Sequence, residues 1–251
     1  MGALIALSIL SIVGGTPDPA DPAVVALEYD GFAFCSGTLI GKRTVLTAGH
    51  CVEVFGPSDL YKVDFAADVT KFPKRIKALK QVRHPNYSAE GAPYDFALWQ
   101  LDSDADVTPV ALASAALTQA DVGAAIRHVG FGVNDESAGT GSGVKREATF
   151  PITQVDDLIV WSVGATAQTC TYDSGGPGFM TRGGHEELVA VVSDGPNCHD
   201  VGWDGRVDVV LEWIQQTMTE FEPGPVAPPA KGCTSAFGLW GALAVLLLRR
   251  R

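Results

Sequence analysis

Short apolar runs alternate along the chain with clusters of Gly, Pro, Asn and Asp, at intervals of roughly 8–12 residues, as in strands joined by tight turns. This pattern predicts an all-β barrel or sandwich. The predicted strands are Val24–Tyr29, Phe32–Ile40, Thr44–Thr47, Tyr61–Phe65, Ile76–Arg83, Phe96–Leu101, Ala125–Phe131, Lys145–Gln154, Leu158–Ser162 and Leu188–Ser193. One stretch changes period. Over Asp208–Phe221 the apolar residues Val209, Leu211, Trp213, Ile214 and Met218 mark the apolar side of a helix, with Asp208 placed to cap its start and Pro223 to stop it. No internal repeat is visible, and Ser137–Gly143 (SAGTGSG) reads as a flexible loop.

Both ends depart from this pattern. Met1–Ser11 (MGALIALSILS) is apolar, without a cationic start or a clear cleavage site. It resembles the hydrophobic part of a secretory signal, with its true start upstream or unusually short, and a buried first strand over Leu4–Val13 is the other reading. Glu222–Ala230 (EPGPVAPPA) is a Pro-rich linker that holds neither helix nor sheet centre. Lys231, Gly232 and Cys233 follow, then fifteen residues from Thr234 to Leu248, mostly apolar, and three arginines. That stretch is short of the roughly 20 residues of a stable span, and the arginines would hold its end in the cytoplasm. The arrangement resembles the C-terminal sorting tag of myxobacterial surface proteins, which implies processing at Cys233 by export and sorting machinery. A simple tail anchor, with membrane association, is the alternative. The expected organisation is a leader (1–11), a folded body (12–222), a linker (223–232) and a tag or anchor (233–251).

Composition narrows the class. With 251 residues, 46% hydrophobic and 19% charged, the chain can bury a sizeable core and is too apolar to be disordered. The formal charge is −11, but without Lys231, Arg249, Arg250 and Arg251 the body holds 14 cations against 29 anions, about −15. Such a body repels phosphate backbones, which excludes nucleic-acid binding through a basic surface. None of the five cysteines forms a C-x-x-C pair, so neither a zinc ribbon nor a thioredoxin-type redox motif fits. Spacings of 16 and 28 residues suit two long-loop disulfides, Cys35–Cys51 and Cys170–Cys198, and an oxidising compartment. Buried free thiols are the alternative. Cys233 is left over either way.

Three segments carry chemistry. Thr47-Ala48-Gly49-His50-Cys51 sets a histidine beside a cysteine that a disulfide would hold rigid. Tyr94-Asp95-Phe96-Ala97-Leu98 opens an apolar strand with a carboxylate that needs hydrogen bonds if buried. Asp173-Ser174-Gly175-Gly176-Pro177 puts a serine on a tight turn where backbone can approach a reacting carbonyl. Each alone is commonly structural. A nucleophile, a base and an acid that fixes the base's tautomer together make an acyl-transfer set. His84, His128, His185 and His199 lie in no comparable context and read as structural or surface residues.

These stretches, with I-V-G-G at Ile12–Gly15, F-C-S-G-T-L-I at Phe34–Ile40, H-P-N-Y at His84–Tyr87 and V-V-S-D-G at Val191–Gly195, resemble the trypsin/chymotrypsin-like serine peptidases over about residues 12–221. The resemblance implies two packed six-stranded antiparallel β-barrels with a C-terminal helix, meeting near residues 105–120. It implies Ser174 as nucleophile, His50 as general base then acid, and Asp95 as the orienting carboxylate. The backbone N–H groups of Tyr172 and Ser174 form the oxyanion hole, the two disulfides match, and no metal or cofactor is required. Protein or peptide substrates are implied, and a secreted or envelope-associated location.

The sequence departs from the family at three places. Tyr172 stands where the family has Gly. Gln168, at the base of the specificity pocket, lacks the charge that trypsin-like members carry; Ser193, Gly195 and Gly202 fall at its walls, with Asp194 and Asp204 near enough to restore some preference for cations. Ile12, whose freed amino group would pair with Asp173, follows Ser11 rather than Arg or Lys. The expected function is an exported serine endopeptidase without trypsin-like specificity; the alternative is a catalytically weak, protease-like binding or regulatory module on the cell surface.

Overall fold

A computed structural model describes residues 12–52 and 55–222. The leader, linker and tag, including Cys233 and Pro223, lie outside the described residues.

After the two-residue strand β1 (Thr16–Pro17), the first half of the chain forms β2 (Val24–Tyr29), β3 (Phe32–Leu39), β4 (Thr44–Thr47), β5 (Tyr61–Phe65), β6 (Lys74–Arg83) and β7 (Ala97–Leu101). These close into an antiparallel barrel in the order β2-β3-β4-β7-β6-β5. The second half forms β8 (Ala125–Gly130), β9 (Arg146–Val155), β10 (Ile159–Val163), β11 (Pro177–Arg182), β12 (His185–Asp194) and β13 (Val201–Arg206). They run β9-β10-β13-β12-β11-β8 and close through pairing of β8 with β9, while β1 attaches to β9 with Thr16 opposite Glu147. The architecture is thus two closed six-stranded antiparallel barrels and one C-terminal helix.

Burial explains why β2 reads as a nearly continuous apolar run. One cluster runs from the first barrel (Val25, Leu27, Leu46, Trp99) across the junction to Val129, Phe131, Val191 and Ile214 of the second half. A strand packed on both faces needs no polar side. The second barrel has its own core, including Ile126, Ile152, Val160, Met180 and Val189. The connection between the barrels is tied to both: Val110 N–H donates to Leu39 O at 2.9 Å and Ala113 N–H to Leu188 O at 3.0 Å.

The C-terminal helix departs from its expected start. Val207–Val210 is a 3-10 turn, and α1 (Leu211–Phe221) begins after it with no side-chain cap. The Asp208 carboxylate is taken by Arg206 instead, which donates from Nη2 at 2.6 Å. At the far end, the Glu222 carboxylate accepts from Lys42 N at 3.0 Å, Arg43 N at 2.9 Å and Thr44 Oγ1 at 2.6 Å, latching the helix to the first barrel. Among the described residues no helix is long and apolar enough to cross a membrane.

Candidate active site

The histidine is positioned by the end of β4. Residues Gly49–Cys51 turn in a 3-10 helix held by the Cys35–Cys51 disulfide and by Arg83 Nε, which donates to Gly49 O at 2.8 Å. Asp95, just before β7, grips the residue twice. His50 N–H donates to Asp95 Oδ1 at 2.8 Å, and His50 Nδ1 lies 2.8 Å from Oδ2. Ser193 Oγ on β12 donates to the same Oδ2 at 2.6 Å. Glycine at 49 keeps this corner tight, since a Cβ there would sit 3.1 Å from Asp95 Oδ1 and 2.9 Å from Tyr87 Cδ2 and would push them aside.

Burial alone would push the Asp95 carboxyl upward. The hydrogen bonds from His50 and Ser193, with the His50 charge, outweigh it and hold the group below the usual carboxylate range. An ionised carboxylate only accepts, so it selects the imidazole tautomer with its proton on Nδ1.

The serine sits in a loop built against both barrels. The Cys170–Cys198 disulfide fixes its entry, Gly176 N–H donates to Asp173 O at 2.9 Å, and Gly175 N–H to Val192 O at 2.8 Å. Ser36 on β3 joins it to the first barrel: Ser36 N–H donates to Ser174 O at 2.8 Å and Ser36 Oγ to Tyr172 O at 3.0 Å. Gly175 has φ +84°, and a Cβ there would lie 2.0 Å from Thr47 Oγ1 and 2.3 Å from Ser36 O. Tyr172 has φ +75°, the left-handed conformation that accounts for a glycine preference at this position. Among the described residues no acceptor takes the N–H of Tyr172 or of Ser174.

His50 and Ser174 line one cavity of 570 Å³ together with Tyr172, Ser193, Gly195 and Gly202. Gln168 does not join them. Its carboxamide donates to Asp200 O at 2.6 Å and Ser162 O at 3.3 Å, and it lies behind Gly202, where a Cβ would come within 3.1 Å of its Oε1. Asp194 lines the cavity and is exposed. Asp204, expected near the pocket, is instead buried on β13 with its carboxylate 2.9 Å from His128 Nε2, and it does not line the cavity.

Asp173 is wholly buried, its carboxylate accepting from Gly132 N at 2.8 Å and Cys170 N at 2.9 Å. Burial raises it to about 7, against those bonds and the charges of His128 and Arg146. Ile12 is also fully buried, with Val13 bridged antiparallel to Gln168. The cluster of Cys35, His50 and Cys51 brings potential ligand atoms within 4.8 Å of one another, but its sulfurs form the disulfide and supply no thiolate.

Some site residues escaped sequence reasoning. Ser36, within F-C-S-G-T-L-I, holds the serine loop through the Tyr172 carbonyl, and Ser193 both lines the cavity and donates to Asp95. Phe32, Phe34 and Phe55 also line the cavity. The aromatic spacing Phe32-Ala33-Phe34 was the available signal.

Comparison with known proteins accords with this geometry. The Trypsin family model matches residues 12–214. Trypsin 5G1 of Aedes aegypti is 31% identical over 230 residues, spanning 82% of this chain and 84% of its own length. Glucanase inhibitor protein 3 of Phytophthora infestans is 30% identical over 83% of this chain and 88% of its own length. Brachyurin of Leptuca pugilator is 29% identical over 84% of this chain and its full length. The chain belongs to the trypsin family of serine endopeptidases, and that membership implies protein or peptide substrates.

Proposed function

We propose that this chain is an exported serine endopeptidase working through Ser174, His50 and Asp95. Ser174 Oγ attacks the scissile carbonyl while His50 Nε2 takes its proton; His50 then gives that proton to the leaving amine, and water resolves the acyl-enzyme by the same steps reversed. The two-point grip of Asp95 on His50, at 2.8 Å each, is the observation that carries this reading. It fixes the tautomer and stabilises the imidazolium that forms. The open N–H groups of Tyr172 and Ser174 suit the developing oxyanion, a donor worth about 3–4 kcal/mol in such sites.

Specificity is not trypsin-like, because Gln168 brings no charge and its carboxamide nitrogen is occupied by main-chain carbonyls. The Cys35–Cys51 and Cys170–Cys198 disulfides favour an oxidising compartment. Residues 1–11 act as an export leader, and 223–251 as a linker and sorting tag or anchor holding the enzyme at the cell envelope. Cleavage after Ser11 frees the Ile12 amino group to pair with Asp173.

Tyr172 at a glycine-preferring conformation, and a relative named as an inhibitor, favour a second reading as a protease-like binding module. A fluorophosphonate probe separates the two. Stoichiometric labelling that disappears in Ser174→Ala is expected; a folded wild-type protein that takes no label is the binding module.

A further inference from the structure

We infer that the leaving-group side of this cleft is an aromatic slot that selects substrates with an aromatic residue immediately after the scissile bond. The inference rests on the endopeptidase reading and adds the substrate class. The base must hand its proton to the leaving amine, so the wall beside His50 and the Cys35–Cys51 disulfide faces the leaving half of the substrate. In this chain that wall is aromatic: Phe32, Phe34, Phe55 and Tyr172 line the same cavity as Ser174 and His50.

The rings are arranged, not scattered. Phe32 meets Tyr172 edge-on at 5.4 Å and 89°, and Phe34 meets Phe55 at 5.0 Å and 73°. Tyr29 supports Phe55 from behind at 5.4 Å, and the Phe55 N–H donates to Tyr61 Oη at 2.9 Å. Yet Phe32 and Phe55 remain 53% and 48% exposed, so apolar faces stay open in the cavity that Ser174 also lines. A substrate ring inserted there covers them and meets edges and faces in the geometry aromatic pairs prefer. Tyr172 keeps its ring against Phe32 despite φ +75°, which a glycine would adopt freely. Glu136 and Asp194 line the same cavity, so an acidic leaving residue meets like charge there.

The test reads the leaving half alone. The protein beginning at Ile12 is acylated with a peptide ester, and amino-acid amides then compete with water for the acyl-enzyme. The amine nitrogen bonds the acyl carbon, the ester bond to Ser174 Oγ breaks, and the amine proton passes through His50 to Oγ. Capture by Phe-amide and Tyr-amide should exceed capture by Gly-amide and Asp-amide about tenfold or more, the scale of an apolar pocket's discrimination. Each variant is judged by its own Phe-to-Gly ratio, which should fall several-fold in Phe32→Ser and Tyr172→Gly. Equal capture of Phe-amide and Gly-amide by the wild type, or a ratio unmoved in both variants, overturns the slot alone. An ester left uncleaved, with no acyl-enzyme formed, overturns the peptidase reading beneath it as well.

Discussion

Ser36 uses every hydrogen-bonding group it has. Its N–H donates to Ser174 O at 2.8 Å and its hydroxyl to Tyr172 O at 3.0 Å; the hydroxyl accepts from Phe131 N at 3.0 Å, and its carbonyl from Thr47 Oγ1 at 2.8 Å. Truncation to alanine strands the buried Phe131 N–H and the half-buried Tyr172 carbonyl, costing about 1–3 kcal/mol. Ser36→Ala should therefore lower the urea midpoint, and by loosening the Tyr172 peptide it should lower kcat more than it raises KM. Lost stability with unchanged kcat would make Ser36 structural only. The meeting of His50 with Asp95, and of His50 with Ser174 in one cavity, was legible from their three segments taken together. Ser36 was not, since its hydroxyl acts on a residue 136 positions away. The place of Asp204 is hidden in the sequence for the same reason: its partner His128 lies 76 positions off, and only the sheet brings them together.

At the scale of elements, alternation read most strands well, because one barrel face is apolar wherever the other meets water. The exceptions have physical causes. β11 and β13 carry Pro177, Gly178, Gly202 and Gly205, which read locally as breakers. They become strands because neighbours β8, β12 and β10 supply ladder partners on either side. Gly205 also makes room across the barrel junction, where a Cβ would lie 2.6 Å from the Phe96 ring. Helix α1 was foreseen from its apolar side, but not the carboxylate that fastens its end. Glu222→Ala removes three bonds to the first barrel and should cost roughly 1–2 kcal/mol, given that the site is partly exposed. Urea unfolding measures the loss, and limited proteolysis at α1 should accelerate with it.

For the whole molecule, the proposed release of Ile12 would tie chain processing to pH through the buried Asp173. Its folded value of about 7 lies above the ordinary 3.8. In the intact chain its contribution to stability is therefore fully present below about 3.8 and is lost as pH rises through about 7, a loss of a few kcal/mol. On the proposed pairing, a freed Ile12 ammonium beside the carboxylate would lower its pKa and remove that loss. Protein beginning at Ile12, verified by mass spectrometry, should hold its Tm from pH 4 to 8 better than protein in which Ser11 and Ile12 remain joined; parallel profiles would sever the link. The proposed triad is also divided unevenly between the two halves. His50 and Asp95 come from the first half of the chain and Ser174 from the second, with a largely exposed stretch, Asp102–Asp106, beginning the connection. Severed at Asp106, each fragment would be chemically silent alone, and hydrolysis would return only on their reassembly. The enzyme would then serve as its own complementation reporter, its turnover counting docked barrel pairs.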